Sequence, residues 1–507
     1  MRGFAKTVAV ILHFFGPMLI AGGFCLLAPL VVAVLDGELQ EGYRTCVAFL
    51  VPAALCFGLG FAFKKFFHAK TPNVIQATLI CSLSWLGFSA IGAIPFVIGI
   101  HSTYLDGFFE AMSGFTTTGI TMYTGLDRMP KSILFWRALT QWVGGLGILT
   151  MFLAVSTRVE GSHQLFGAEG HKIEVDRPVP GLVNTIHILL GIYGLFTILI
   201  IVSLFALGMS FFDSVCHSFA ALATGGFSPY DASIEYYRIT GHSNYIWLEY
   251  VLIIGMLMGG SNFLVHYRVI TRHPKALIDN AEMRYWWGLI SLFTALILLE
   301  RFLRVQPFPA ADLFGPPFWH RLEEDFRITL FQVVSIITTT GFGTRDIATP
   351  YFGEAARQLF LVMMVIGGCV GSTGGGIKVL RVVILNKLIR REVFRLRVPS
   401  NAITTIVVDG KVIELDEIQR VAALFFGWMV LLVFGGMVTE FLSHHSGYAA
   451  YSGMFSALGN VGPCYIPLED IGKLHPFIKV VYIFGMLTGR LEILPVFLLF
   501  SRRAWRL

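Results

Sequence analysis

Residues 335–345, Ser-Ile-Ile-Thr-Thr-Thr-Gly-Phe-Gly-Thr-Arg, place a threonine run ending in glycine between long apolar segments. Such a run offers consecutive backbone carbonyls, and its glycine accepts backbone angles that a side chain forbids, so the carbonyls can be turned toward one point. The stretch recurs. Thr338, Thr339, Thr340 and Gly341 are matched closely by Thr116, Thr117, Thr118 and Gly119 and loosely by Thr224, Gly225 and Gly226, while Asn460, Val461 and Gly462 keep little beyond the closing glycine. The four closing glycines are spaced by 107, 115 and 121 residues, so one unit of about 110 residues is used four times. Four carbonyl-bearing turns in a ring can replace the hydration shell of a monovalent cation, which is the chemistry open to this composition.

Holding four such turns together calls for a membrane protein. The chain of 507 residues is 55% hydrophobic and 14% charged, with a mean hydropathy of +0.70, far from the balance of a soluble domain. Ten windows, at 7–35, 45–63, 71–105, 138–157, 181–212, 250–267, 285–299, 358–377, 421–438 and 480–501, approach the roughly 20 apolar residues that a spanning helix needs. An even number puts both termini on one side. Basic clusters at Arg2 and Lys6, Lys64 and Lys65, Arg268 and Arg272, 378–397, and Arg502 to Arg506 lie just beyond window ends, where positive charge marks the cytoplasmic face. The formal charge of +6 therefore reads as topology, not as a nucleic-acid footprint. Seven cysteines without paired spacing suggest neither a disulfide framework nor a metal site.

The expected fold class is an all-α polytopic membrane protein. An N-terminal transmembrane hairpin (1–70) precedes four repeats (71–160, 181–275, 284–398 and 417–507), with a cytoplasmic β-hairpin at 399–416 signalled by Asp409-Gly410 between β-prone runs. Each repeat reads as an outer helix, a half helix too short to cross, a threonine–glycine turn and an inner helix. The half helices are expected at 106–115, 213–223, 325–337 and 448–458. Non-helical backbone survives at membrane depth only against protein or a water-filled cavity, so the turns predict one shared aqueous axis. Half-helix C-termini leading into the turns add a negative dipole end that favours a cation. Asp106 and Asp213, 13 residues before their glycines, suit the first turn of a half helix. Glu110, His217 and Gln332 each lie 9 residues before theirs, a repeated polar position that either braces the turn from behind or is incidental.

Three further features stand out. The segment from Gly367 and Gly368 through Gly371, Ser372, Thr373, Gly374, Gly375 and Gly376 lacks the Gly-Lys-Ser/Thr ending of a nucleotide-binding loop. So many glycines should break the inner helix of the third repeat, giving either a gate beneath the turns or a static kink. Arg490, in the inner helix of the fourth repeat, is costly at membrane depth; it either projects into the ion path or holds the glycine-rich loop, or is satisfied by carbonyls between helices. Asp409 and Gly410 tip a hairpin that is either a partner-binding surface or a plain loop. No zincin, metal-cluster or nucleophile-elbow pattern argues for an enzyme. An ion-coupled symporter, with Na+ or H+ driving potassium, is the rival transport reading; the parallel repeats differ from the inverted repeats usual in that class.

On Phe115 to Gly119, Ala223 to Ser228, Thr338 to Thr344, Asn460 to Pro463, the 367–378 loop and Thr488-Gly489-Arg490-Leu491-Glu492, the chain resembles the TrkH family of potassium-uptake subunits within the Trk/Ktr/HKT superfamily. The resemblance spans nearly the whole chain. It implies a homodimer in the bacterial inner membrane with both termini cytoplasmic, each protomer holding a K+ pore and no organic cofactor. It also implies a cytoplasmic ring of nucleotide-binding TrkA-type regulatory subunits. Carried over by position, Gly119, Gly226, Gly341 and Gly462 are filter glycines, 367–376 is the intramembrane gate loop and Arg490 the pore arginine. Relatives with serine at the first filter position tend to admit sodium, so glycine at Gly119 favours potassium.

Overall fold

The computed structural model describes residues 2–41, 43–69, 72–156, 182–305, 316–399, 402 and 404–506. The 160–180 linker lies outside the described residues. The chain opens with a helical hairpin, α1 (Arg2–Leu35) and α2 (Arg44–Phe66). These two pack closely because Gly16 and Gly60 face one another: a β-carbon on either would stand 2.9 Å from the other's carbonyl oxygen. A β-carbon on Gly3 would stand 2.4 Å from the Arg506 carbonyl oxygen, so the described ends of the chain lie side by side.

The first outer helix, α3 (Val74–Gly92), starts at a capping box in which the Asn73 and Gln76 side chains take each other's backbone N–H groups at 2.8 and 3.1 Å. It continues after a bend as α4 (Ile94–Ile100), and the half helix α5 (Tyr104–Phe115) and inner helix α6 (Lys131–Ser156) follow. The second repeat runs α7 (Leu182–Ala206), α8 (Phe211–Leu222) and α9 (Tyr245–Gly260), the last bent by 107° into α10 (Phe263–Ile270). The third runs α11 (Ala281–Glu300), α12 (Pro316–Ile337), α13 (Glu354–Val365) and, beyond the glycine-rich loop, α14 (Val379–Arg395). The β-hairpin pairs β1 (Ile406–Val408) with β2 (Lys411–Ile413). The fourth repeat is α15 (Leu415–Leu442), α16 (Gly447–Gly459) and α17 (Pro476–Leu491).

Three expectations are sharpened. The half helices α5 and α8 begin at Thr103 and Ser210, whose hydroxyls accept the N–H groups of Asp106 and Asp213 at 3.2 and 3.0 Å; the acids sit in the first turn and the neutral hydroxyls do the capping. Helix α12 extends well beyond the expected 325–337, to 22 residues. The second strand of the hairpin ends at Ile413, because Leu415 already begins α15, with Asp416 and Glu417 in its first turn. Five helices among the described residues, Gly3–Leu35, Arg44–Phe66, Val74–Ile100, Asn184–Ala206 and Leu415–Leu442, are long and apolar enough to cross a bilayer, six if the bent α9–α10 pair counts as one span. That is fewer than ten windows; for two of the windows without a span, the helices α13 and α17 have only 12 and 16 residues.

Candidate functional site

The four half helices end alike. In each, the residue two before the closing glycine is left-handed: Thr117 (φ 52°), Thr224 (52°), Thr339 (60°) and Asn460 (54°). Its N–H donates to the helix end, to Gly114, Ala221, Ile336 and Ala457 at 2.9, 3.2, 3.0 and 3.4 Å. The next N–H donates back five positions, Thr118 to Ser113, Gly225 to Ala220, Thr340 to Ser335 and Val461 to Ser456, at 2.8, 2.8, 2.8 and 3.0 Å. These are Schellman caps, in which the left-handed position is ordinarily glycine. Three β-branched threonines there are conformational outliers that only a determined surrounding can hold. The closing glycines, Gly119, Gly226, Gly341 and Gly462, are left-handed again at 86°, 78°, 88° and 105°.

The turns meet head to tail. A β-carbon on Gly119 would lie 2.3 Å from the Gly225 carbonyl oxygen, on Gly226 2.0 Å from that of Thr340, on Gly341 2.0 Å from that of Val461, and on Gly462 3.0 Å from that of Thr118. Each closing glycine thus abuts the carbonyl preceding the next repeat's glycine, and the fourth returns to the first. The ring closes. The inner helices approach it through their glycines: β-carbons on Gly144, Gly259 and Gly489 would strike the carbonyls of Phe115, Leu222 and Leu458 at 2.1, 2.5 and 2.0 Å. In the third repeat Gly367 faces its own loop instead, 1.8 Å from the Gly375 carbonyl oxygen by the same measure.

Behind the ring, Glu110 takes the Thr121 hydroxyl at 2.9 Å, the Met122 N–H at 2.8 Å and Arg137 Nε at 2.8 Å. Arg137 also donates to the Ser228 carbonyl at 2.9 Å, tying the first turn to the second. His217 Nε2 lies 3.2 Å from Ser228 Oγ, the position matching Thr121. Gln332 stands at the same register, but the matching residue is Gly343, and its amide has no partner among the described residues. Two braces were missed in the sequence: Gln141 donates to the Gly225 carbonyl at 2.6 Å and accepts the Phe227 N–H at 3.0 Å, and Asn460 Nδ2 donates to Thr118 Oγ1 at 2.8 Å and Met486 O at 2.9 Å. A buried glutamine beside a glycine pair was the available signal for the first.

The 367–376 segment is non-helical, with Ile366 and Ile377 bridged in parallel across its neck. It lies directly against the ring. Thr373 Oγ1 is 3.2 Å from Thr224 Oγ1 and donates within reach of the Leu222 and Gly259 carbonyls at 2.9 and 3.0 Å. The Gly375 N–H donates to Thr339 Oγ1 at 2.8 Å, and a β-carbon on Gly375 would sit 2.6 Å from Asn460 Cβ. Left-handed residues of three turns therefore touch the loop. Gly371 and Gly376 are left-handed within it; Ser372 accepts the Gly374 N–H at 3.3 Å, and a β-carbon on Gly368 would meet Ser372 Oγ at 2.6 Å. Buried Arg490 donates to the Thr373 carbonyl and, at 3.1 Å, to that of Gly144, so the arginine joins the loop to the first repeat. Its neighbour Glu492 points elsewhere and pairs with Arg381. Asp409 and Gly410 lie apart from this cluster, at the left-handed two-residue turn of the β-hairpin (φ 48° and 78°).

Residues 48–309 and 320–506 match the TrkH model, described as a cation transport protein. The chain belongs to the TrkH family. The Trk system potassium uptake protein TrkH of Escherichia coli K12 is 33% identical over 442 residues, covering 85% of this chain and 86% of that one. The TrkH of Vibrio parahaemolyticus is 32% identical over 512 residues, covering 98% and 99%. The crystal structure of the potassium transporter TrkH from Vibrio parahaemolyticus superposes with a TM-score of 0.82 at 29% identity, over 98% of this chain and 99% of that one. The all-α polytopic class expected from composition is thus the fold of a TrkH family member.

Proposed function

We propose that this chain carries K+ across the bacterial cytoplasmic membrane through a channel-like path, with the four turns as a backbone-carbonyl selectivity filter and the 367–376 loop as its gate. The observation that carries this reading is the closed ring of four glycines, each against the next repeat's carbonyl. Left-handed residues at alternate positions swing successive carbonyls to one side of the chain, and Schellman caps fix them before an ion arrives. A dehydrated cation then exchanges water oxygens for carbonyls that need no rearrangement. Below the ring, the loop and the Arg490 guanidinium obstruct the axis, and displacing the loop from Thr224, Thr339 and Asn460 opens it. The family's relatives named potassium uptake proteins support K+ as the ion.

In this reading the units are the N-terminal hairpin (1–70), four repeats (71–160, 181–275, 284–398, 417–507) and the cytoplasmic β-hairpin (399–416), with both termini cytoplasmic. The chain works as a homodimer in lipid and is regulated by a TrkA-type nucleotide-binding ring that engages the hairpin side around Asp409 and Gly410. The test is rubidium uptake into liposomes with sodium as competitor, for the natural chain, Gly119→Ser and Gly462→Ser. Gly119→Ser drives a side chain into the Gly225 carbonyl and is expected to lose the preference for rubidium. Gly462→Ser, with the roomiest of the four contacts, loses less. A folded Gly119→Ser protein that keeps full preference overturns the filter. If the natural chain is silent, deletion of 371–376 should conduct, and silence there overturns the channel.

A further inference from the structure

The β-hairpin does not hang free beneath the membrane. Ile406, Val408 and Ile413 form one buried apolar cluster with Leu380, Val383 and Ile384 of α14, Ala281 of α11, and Ile418 and Val421 of α15. Its turn residue Asp409 reaches the start of α11, where both carboxylate oxygens accept the Ala281 N–H at 2.8 and 3.1 Å, with Arg284 at 3.6 Å. The residue beside that capped amide is Glu282, 5% exposed. Its Oε1 accepts the Val370 N–H at 2.7 Å and the Leu380 N–H at 3.3 Å. Val370 belongs to the glycine-rich loop and Leu380 to the first turn of α14. Met283, one residue further, places its sulfur 3.9 Å from Cys369 Sγ.

A buried carboxylate is expensive to desolvate and is retained where it meets fixed donors. Here both donors are backbone groups on the two sides of the loop's cytoplasmic end. Glu282 therefore fixes where that end can go, and Asp409, which holds the N–H of the preceding residue Ala281, fixes Glu282. We propose that Glu282 is the positioning residue that holds the loop shut, and that Asp409 ties it to the hairpin, so that displacing the hairpin releases the loop through Ala281, Glu282 and Val370. This rests on the loop being the gate. It assigns the hairpin a mechanical role: a partner pulling at Asp409 acts on the loop through one helix end, with no need to reach the ion path.

The experiment uses full-length protein in liposomes without any partner, reading rubidium uptake, together with maleimide labelling of Cys369 in a background where the other six cysteines are replaced. Cys369 is fully buried, so its labelling rate reports loop release in variants whose melting temperature matches that of the natural chain. Glu282→Ala is expected to raise both readouts roughly tenfold, the size of one lost hydrogen bond to a charged group. Glu282→Gln, which keeps an acceptor oxygen, restores them. Asp409→Ala raises both by less, and adds nothing in the Glu282→Ala background, as two links of one path require. Deletion of 371–376 is the reference. If the deletion conducts and Glu282→Ala does not, the positioning role is overturned while the gate stands; if the deletion is silent, the gate fails and takes the proposal with it. Additive effects overturn the shared path. Should Glu282→Ala not fold, unchanged Cys369 labelling in Asp409→Ala overturns the link to the hairpin.

Discussion

Arg490→Ala isolates the contact between the fourth inner helix and the loop. In this structure the guanidinium donates to two carbonyls, Thr373 on the loop and Gly144 on the first inner helix; under the gate proposed above this is the closed arrangement. A hydrogen bond from a charged group contributes about 1.5–3 kcal/mol, and of these two bonds it is the one to Thr373 that distinguishes a seated loop from a displaced one. Losing it shifts the closed–open balance by about ten- to hundredfold at 1.4 kcal/mol per decade. Thr373 keeps its own N–H and hydroxyl bonds to Gly259 and Leu222, so the lower end of that range is expected. Removing the positive charge from the path acts in the same direction on cation flux. Arg490→Lys separates the two effects: it keeps the charge but, as a point donor, cannot span both carbonyls in the same geometry, and its flux should fall between the others. The assay is rubidium uptake into liposomes at fixed protein density, with sodium competition run in parallel. Flux should rise about tenfold in Arg490→Ala with the rubidium preference unchanged. A rise of less than twofold, beside a conducting 371–376 deletion, would refute the reasoning that this arginine latches the loop.

Two further outcomes concern the ring itself. Thr117→Asn should raise the melting temperature, because asparagine accepts the left-handed region that costs a β-branched residue about 1–2 kcal/mol, and the Thr117 hydroxyl has no partner among the described residues to lose; a lower melting temperature in detergent would show that the strain is not there. Glu110→Ala leaves the buried Arg137 guanidinium without its carboxylate and frees Thr121 and Met122, which should destabilise the protein by about 3–5 kcal/mol and loosen ion preference. Glu110→Ala with natural stability and selectivity would remove the brace from the account.

The repeat was legible because its most demanding feature is a residue type. Only glycine fits where a β-carbon would strike a neighbouring carbonyl, so Gly119, Gly226, Gly341 and Gly462 marked the ring from the sequence. The fourth turn, poorest in threonine, holds the shared backbone because Asn460 tolerates left-handed φ, a substitution that looked like divergence and preserves geometry. The brace at Glu110 and His217 was legible from register alone. The loop's break was legible, but not its seat against Thr224 and Thr339, since that contact joins residues more than a hundred positions apart in one case. The bend between α9 and α10 went unread, although Gly259-Gly260-Ser261-Asn262 carries a glycine pair and an asparagine whose side chain caps Leu264 at 2.8 Å; within a hydropathic window those polar residues were averaged away. Gln141 and Glu282 act on backbone atoms of distant segments, and such partners leave no mark in local spacing.

The head-to-tail ring has a sense of rotation, and one polypeptide supplies all four quadrants. In a channel built from four identical chains, a substitution is necessarily copied fourfold. Here the same serine can be written into one, two, three or four quadrants, each abutting a single named neighbour downstream: Gly119 on Gly225, Gly226 on Thr340, Gly341 on Val461, Gly462 on Thr118. The molecule thus permits a dosage series within one gene, in which the proposed control of ion preference is tested quadrant by quadrant and adjacent pairs are compared with opposite ones.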